Sequence, residues 1–376
     1  MRVGRVGPRG GVGGAPGVGD GGAPGEGASK KPPEARSIRR MSWMNGAARP
    51  ASLPERIRAL SRGELSPVGA RAAATVLLLR DGAQGGGPAV HMLRRRASMA
   101  FAGGAYAYPG GGVDPRDERP VGWAGPSLDT WSVALGVPSA QAQAVVCAAV
   151  RETFEESGVL LAGPRSGTVV ADTTAADWEA DRTALVTRDL AFADFLARRE
   201  LVLRSDLLAP WARWITPEFE ERRYDTWFFL ALLPQGQRTR DVSGEADRTV
   251  WLRPAEAVDG YERGEMIMLP PTITTLRDLL PYESAAAALA AAPGRDLAPV
   301  LATAALDAAG DVVLTWPGHD EFTRVIPAEG ADRADRAGKA AEAEEAAEAV
   351  KAHHAHHTHH ADKADAAAQP LQEDAR

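Results

Sequence analysis

Between Leu53 and Pro327 the apolar and polar positions fall into blocks that read as irregularly alternating strands and helices. The run "AAATVLLLRDG", Ala72 to Gly82, is short, apolar and closed by turn residues, as a strand is. "AVHMLRRR", Ala89 to Arg96, follows a Gly-rich loop as a hairpin partner would, and the "GGGPAV" segment at Gly85 reads as that hairpin turn. It lacks the Lys-Ser/Thr ending of a phosphate-binding P-loop. "AYAYPGGGVD", Ala105 to Asp114, predicts a short strand running into a glycine turn.

Ser139 to Ser157 has helical composition, with Ser139 as N-cap and Gly158 just past the end. "GVLLAG" predicts a strand, and Ala171 to Glu200 reads as helical with apolar Leu185, Leu190, Phe192, Phe195 and Leu196. "WARWITP", "YDTWFFLALLP", "RTVWLRP" and "DVVLTWPG" predict four more strands. Helices are expected at Pro254 to Arg263 and Pro271 to Leu280, each with Pro in its first turn. There is no internal repeat. The expected class is α/β or α+β, a mixed sheet between helices.

The ends break this pattern. Residues 1–50 are mostly Gly- and Pro-rich with few large apolar side chains, and are expected to be disordered. Met41 or Met44 is expected as the true translation start in place of Met1. From Ala331 to Arg376 the chain is rich in Ala and Glu, with the tract "HHAHHTHH" at His353 to His360. A solvated tail and a metal-binding tract are the two readings of that segment. The expected folded unit is therefore 53–327.

Charge and cysteine content narrow the function. Of 376 residues, 44% are hydrophobic, enough for a core, and the net charge is -7. That balance argues against a nucleic-acid binder working through bulk positive charge. No apolar run reaches the roughly 18 residues of a membrane span. No apolar signal core precedes the domain, and the simplest location is the cytoplasm. The one cysteine, Cys147, lies among Val and Ala and reads as a small core residue. Only His91 and His319 stand in the body, which leaves little material for a histidine base. Trp211, Trp214 and Trp227 read as strand packing rather than as a platform for adenine.

One segment stands out for chemistry. In "VRETFEESGV", Val150 to Val159, Glu152, Glu155 and Glu156 share a helix face, where like charges repel. A solvated acidic turn is one reading. The other is a shelf for a divalent cation, because Mg²⁺ prefers hard oxygen ligands from a few carboxylates plus substrate phosphate. The other side of the same helix carries Val146, Ala149, Val150 and Phe154.

"RETFEESGV" resembles the second half of the nudix box, G-x5-E-x7-R-E-U-x-E-E-x-G-U with U a bulky aliphatic, and "YPGGGVD" resembles its start. On this resemblance Gly111 is the first box glycine, Arg151 the box arginine, and Glu152, Glu155 and Glu156 the metal-binding glutamates. Thr153 departs from the usual aliphatic residue. Between Gly111 and Arg151 stand 39 residues where the box has 13, an insert of 26, roughly Arg119 to Ala144. The middle box carboxylate is then Asp117, Glu118 or neither. Such an interrupted box is similar to that of animal peroxisomal nudix proteins that hydrolyse coenzyme A (CoA). "MLRRRASMAFAGGAYAYPGG", Met92 to Gly111, is similar to the element before the box in CoA-hydrolysing members.

The resemblance implies a nudix fold with extra helical insertions, and Mg²⁺- or Mn²⁺-dependent hydrolysis of a small-molecule diphosphate. CoA or acyl-CoA is the first substrate expected. ADP-ribose or another nucleoside diphosphate derivative is the alternative, and a non-catalytic nucleotide-binding module is the third. Glu155 and Arg151 are expected in the catalytic set, Arg151 by orienting a box carboxylate. The Gly110 carbonyl is an extra metal ligand in this scheme. Glu245, in the loop before Trp251, is the expected base, with Asp247 its rival. Arg94, Arg96, Arg223 and Gly111 are expected against the substrate. Arg95 should point to the opposite face from Arg94 and Arg96. Monomer and homodimer are both open.

Overall fold

The computed structural model describes residues 53–82, 87–99, 102–308 and 311–326. The expectations for 1–50, for the Gly85 turn and for the His-rich tail lie outside the described residues.

Helix α1 (Leu53–Ser61) leads into strands β1 (Arg71–Asp81), β2 (Pro88–Arg95), β3 (Ala105–Ala107) and β4 (Gly110–Gly112). A 3-10 turn at Pro115–Glu118, strand β5 (Trp123–Ala124) and helices α2 (Leu128–Leu135) and α3 (Ser139–Ser157) follow. Next come β6 (Ala162–Gly163), α4 (Ala176–Val186), α5 (Phe192–Arg198), β7 (Val202–Arg204), β8 (Ala209–Ile215) and β9 (Tyr224–Leu232). The last part holds β10 (Ala246–Leu252), α6 (Pro254–Glu262), β11 (Ile267–Met268), α7 (Pro270–Arg277) and α8 (Ala285–Ala291). Short strands β12 (Val300–Leu301), β13 (Thr303–Leu306), β14 (Val312–Thr315) and β15 (Arg324–Ile326) end the described chain.

The main sheet is mixed, with the order β11-β3-β2-β1-β9-β8-β12, β4 paired to β1 and β10 to β2. At its centre β1 and β9 run parallel over their whole shared length. These strands are apolar without alternation because both faces are covered. Ala74, Val76 and Leu78 of β1 and Trp227 and Phe229 of β9 face one core with Val146, Val150 and Phe154 of α3. Leu77, Leu79, Phe228 and Leu230 face a second core with Ile273 and Leu276 of α7 and Ala285 of α8. The expected architecture, a mixed sheet between helices, is the one observed.

Several local expectations change. The three glycines 110–112 are a strand, not a turn, and pair antiparallel with Ala73 to Thr75 of β1. Pro138 precedes α3 as its N-cap, and Ser139 is the first helical residue, its hydroxyl on Asp129 at 3.0 Å. The segment 171–200 is two helices, broken near Arg188, which sits at φ 63°. In "GVLLAG" only Ala162–Gly163 is a strand, although Val159 to Leu161 are fully buried. Helix α8 and the three-stranded β13-β14-β15 sheet had no clear pattern beyond "DVVLTWPG". No single described helix is long and apolar enough to cross a membrane.

The box insert is built structure. It forms β5, which pairs with β7, then α2, and then the first turns of α3. Trp131 of α2 enters the first core, edge-on to Phe229 at 6.0 Å. The insert thus leaves the sheet after the 3-10 turn and returns as the N-terminal extension of the helix that carries the acids.

Candidate active site

Helix α3 starts as a core helix and ends as an acidic one. Ala142 and every residue from Ala144 to Arg151 are buried, as are Thr153 and Phe154. Thr153, the departure from the box pattern, is fully buried with its hydroxyl donating to the Ala149 carbonyl at 2.7 Å. That bond to residue i−4 satisfies the one polar atom, so threonine occupies an aliphatic position without an orphaned hydroxyl. Phe154 stacks on Phe195 of α5 at 5.4 Å.

The helix ends at Gly158, φ 73°. The left-handed backbone favours glycine, and the Arg240 guanidinium packs into the space a Cβ would take, 2.6 Å from it. Arg182 of α4 donates to the Glu155 carbonyl at 2.7 Å, which meets the negative end of the helix with a cation.

Arg151 organises the acids. Its Nε and Nη2 donate to the two carboxylate oxygens of Asp117 at 3.0 and 2.9 Å. Nη1 reaches Glu152 at 2.8 Å and Glu155 at 3.2 Å, and Nη2 also donates to the Gly112 carbonyl at 3.0 Å. Asp117 is buried while Glu118 is exposed and gives only its carbonyl, to Gln143. Of the two candidates for the middle carboxylate, it is therefore Asp117 that meets the box arginine.

The glycine strand β4 lies against the same acids. A Cβ on Gly111 would fall 2.5 Å from Glu152 Oε1, so Gly111 is the space the glutamate occupies. The Gly110 N–H donates to Glu156 Oε2 at 2.9 Å. The contact seen for Gly110 is through this N–H, not its carbonyl.

Burial raises all three glutamates above the usual carboxylate range. Glu152 is pushed up to about 7, chiefly by burial and partly offset by Arg151. Glu155 is raised by burial against the pull of Arg151. Glu156 is raised well above its ordinary value by burial and the charge of Glu152, against its bond from Gly110. Asp117, Glu152 and Glu155 thus share one arginine, and burial holds the three glutamates toward their neutral forms unless a further cation favours the charged ones. The donors of the patch are all oxygens, the chemistry that suits a hard divalent cation. Among the described residues no three acidic, His or Cys side chains already converge as a metal cluster. An ion would have to draw in carboxylates that Arg151 and Gly110 now hold.

These groups open on a cavity of about 420 Å³. Glu152, Glu155, Glu156, Asp117 and Arg151 line it, with Gly112 to Arg116 from β4 and the 3-10 turn. Ser243, Gly244 and Glu245 enter from the loop before β10, and Leu185, Val186, Arg188, Leu190 and Phe192 from α4, α5 and their connection. Arg71, Ala72 and Tyr224 complete the lining.

The expected site residues divide accordingly. Glu152, Glu155, Glu156, Arg151 and Glu245 come together at the cavity. Arg94, Arg96 and Arg223 are placed elsewhere. Arg94 pairs with Asp247 at 2.6 Å on the solvent side of β2, and Arg96 Nε donates to the Ala246 carbonyl at 3.1 Å. Arg223 is buried, donating to the carbonyls of Thr216 and Val68 at 3.0 and 2.7 Å. The alternation along β2 holds, but Arg95 is the member that turns toward the acids, 3.8 Å from Glu245. Its field also acts on Glu156. Arg71, Arg116, Arg188 and Tyr224 had no signal in the sequence, since isolated charges and a strand-end tyrosine carry no periodicity. Cys147 is buried and its thiol pKa is raised by burial, so it stays a thiol within the core. Trp211, Trp214 and Trp227 are core residues.

The fold and part of the sequence match known proteins. The NUDT19 Nudix domain model matches residues 121–279. A solved nudix hydrolase from Alicyclobacillus acidocaldarius is 28% identical with a TM-score of 0.51, over 59% of this chain and 96% of that one. The chain has a nudix fold, and the family match falls on its residues 121–279. Its nudix region is also 29% identical over 230 residues to an acyl-coenzyme A diphosphatase NUDT19 of Gallus gallus, covering 51% of this chain and 61% of the relative. The Xenopus laevis protein of that name is 25% identical over 50% of this chain and 59% of its own length. The chain thus spans about six tenths of the length of these curated nudix relatives. Both relatives belong to the CoA-diphosphatase-like branch that the split box resembles.

Proposed function

We propose that this protein is a diphosphatase that hydrolyses CoA or acyl-CoA, using Mg²⁺ or Mn²⁺, to 3′,5′-ADP and 4′-phosphopantetheine or its acyl form. The observation that carries the reading is the buried acid patch of α3, held by the Arg151–Asp117 pair against a glycine strand and open to a cavity. The choice of CoA rests on the relatives named acyl-coenzyme A diphosphatase and on the interrupted box.

Glu152, Glu155 and Glu156 would hold the divalent ion. When bound, such an ion neutralises phosphate charge and acidifies water. Arg151 holds the carboxylates of Glu152 and Glu155 in place, a positioning role set by its anchor on Asp117. Glu245 enters the cavity with a largely exposed carboxylate and is the group that takes a proton from the attacking water. Val186 at the end of α4 and Leu190 in the α4–α5 connection offer an apolar wall to the non-nucleotide part of the substrate.

The test is product analysis of purified full-length protein with Mg²⁺ or Mn²⁺ and CoA, with ADP-ribose and NADH beside it. Release of 3′,5′-ADP and 4′-phosphopantetheine at the highest kcat/KM of the three is the expected result. No cleavage of CoA with either metal sinks the reading.

A further inference from the structure

The diphosphatase reading leaves one part of the cavity without a task. Arg71 and Tyr224 are the first residues of the parallel strands β1 and β9 and are partners in register. Both line the cavity, so the two side chains emerge next to each other on its face. The Tyr224 ring is 3.9 Å from the point where a Cβ on Gly112 would stand. Gly112 in turn gives its carbonyl to Arg151. An aromatic ring therefore stands one strand residue away from the glycine that packs on Glu152.

Both side chains are spare. Tyr224 is 39% exposed, unlike the buried aromatic residues Trp227, Phe228 and Phe229 that follow it on β9. Arg71 is exposed and makes no ion pair among the described residues, whereas Arg116 pairs with Asp114 and Arg151 with Asp117. A ring face and a free guanidinium side by side match two parts of a phosphorylated nucleoside. Bases stack on aromatic rings, and the guanidinium fork fits phosphate oxygens.

We propose that Tyr224 and Arg71 form the subsite for the nucleotide end of the substrate. Tyr224 stacks on the base, and Arg71 binds the ribose 3′-phosphate, which lies outside the diphosphate that is cut. The proposal rests on the CoA diphosphatase reading and deepens it by assigning the residues that select a 3′-phosphorylated nucleotide.

Binding of 3′,5′-ADP, 2′,5′-ADP and 5′-AMP to the full chain, measured by calorimetry, tests this without turnover. The wild type should bind 3′,5′-ADP about tenfold more tightly than 5′-AMP, the worth of one charge-assisted phosphate contact. Arg71→Gln should erase that preference. Tyr224→Ala should weaken all three nucleotides about tenfold, and Tyr224→Phe should leave them unchanged. Equal binding of the three by wild type, a preference for 2′,5′-ADP, survival of the preference in Arg71→Gln, or its loss in Arg188→Gln instead overturns the proposal. CoA cleavage by the same wild-type preparation separates the two readings. If CoA is cut while Arg71→Gln keeps the preference, the subsite falls and the diphosphatase reading stands. If the preference follows Arg71 and CoA is not cut, the reverse holds.

Discussion

Arg151 grips Asp117 with two prongs, at 3.0 and 2.9 Å, across 34 residues of chain that contain the whole box insert. The pair is buried, with the Asp117 side chain only 1% exposed. It closes the box geometrically although the sequence interrupts it.

Removing Asp117 leaves a buried guanidinium with the two glutamates it positions and the Gly112 carbonyl. Asp117→Ala is expected to destabilise the protein by roughly 3 kcal/mol, the usual cost of breaking a buried pair from one side. Glu118→Ala, at an exposed carboxylate, is expected to stay within about 0.5 kcal/mol. Denaturant midpoints of the two variants check this, and equal shifts would reverse the assignment of the middle carboxylate.

Glu155 is one of three donors in the acid patch. Glu155→Gln keeps its shape and its hydrogen bond from Arg151 but removes a charge. Turnover of CoA should fall by about 10² or more, while far-ultraviolet circular dichroism and melting without metal stay near wild type. Direct titration with Mn²⁺ should show weakened binding in the same variant. Unchanged turnover would rule out the role given to this side chain.

The raised acids make stability depend on pH. Glu152 has a folded-state value of about 7, above its ordinary 4.5, so between these values the folded state binds more protons than the unfolded. Its contribution is complete below about 4.5 and is lost as pH rises through 7, by up to roughly 3 kcal/mol. Metal-free protein should thus lose stability on this account between pH 5 and 7, and Glu152→Gln should flatten that slope. Adding Mn²⁺ should restore stability at pH 7, because a bound cation favours the charged form. His91 acts in the opposite sense. Burial, and then the charge of Arg80, lowers its value from 6.5 to about 4. Its contribution is present above 6.5 and lost as pH falls through 4, so His91→Gln should reduce acid sensitivity in that lower window. Melting curves from pH 4 to 8 on the three proteins measure both slopes.

Thr153 tests the departure from the box pattern. Its hydroxyl bonds only its own helix, to Ala149, and its methyl lies in a fully buried position. Thr153→Val keeps the shape and removes a bond internal to the helix, so the expected change in stability is below about 1 kcal/mol, with activity retained. Thr153→Asp would bury a charge with no partner and should unfold the domain. Chemical denaturation and CoA turnover of both variants decide it.

The chain's own sequence determined what is local or periodic. Apolar runs marked the central strands, because a strand covered on both faces must be apolar throughout. The spacing of Glu152, Glu155 and Glu156 put them on one helix face, since 3.6 residues per turn allows nothing else. Gly158 marked the helix end for the same local reason. The tertiary structure decided whatever depends on distance through space. It placed Asp117 rather than Glu118 on Arg151, because the insert folds away and brings the 3-10 turn back beside α3. It turned Arg95 and not Arg94 or Arg96 toward the acids, because alternation fixes two faces of a strand but not which one meets the site. It set Arg71 beside Tyr224, because strands whose partner residues lie 153 positions apart in sequence pair in parallel, and no local pattern encodes a partner strand.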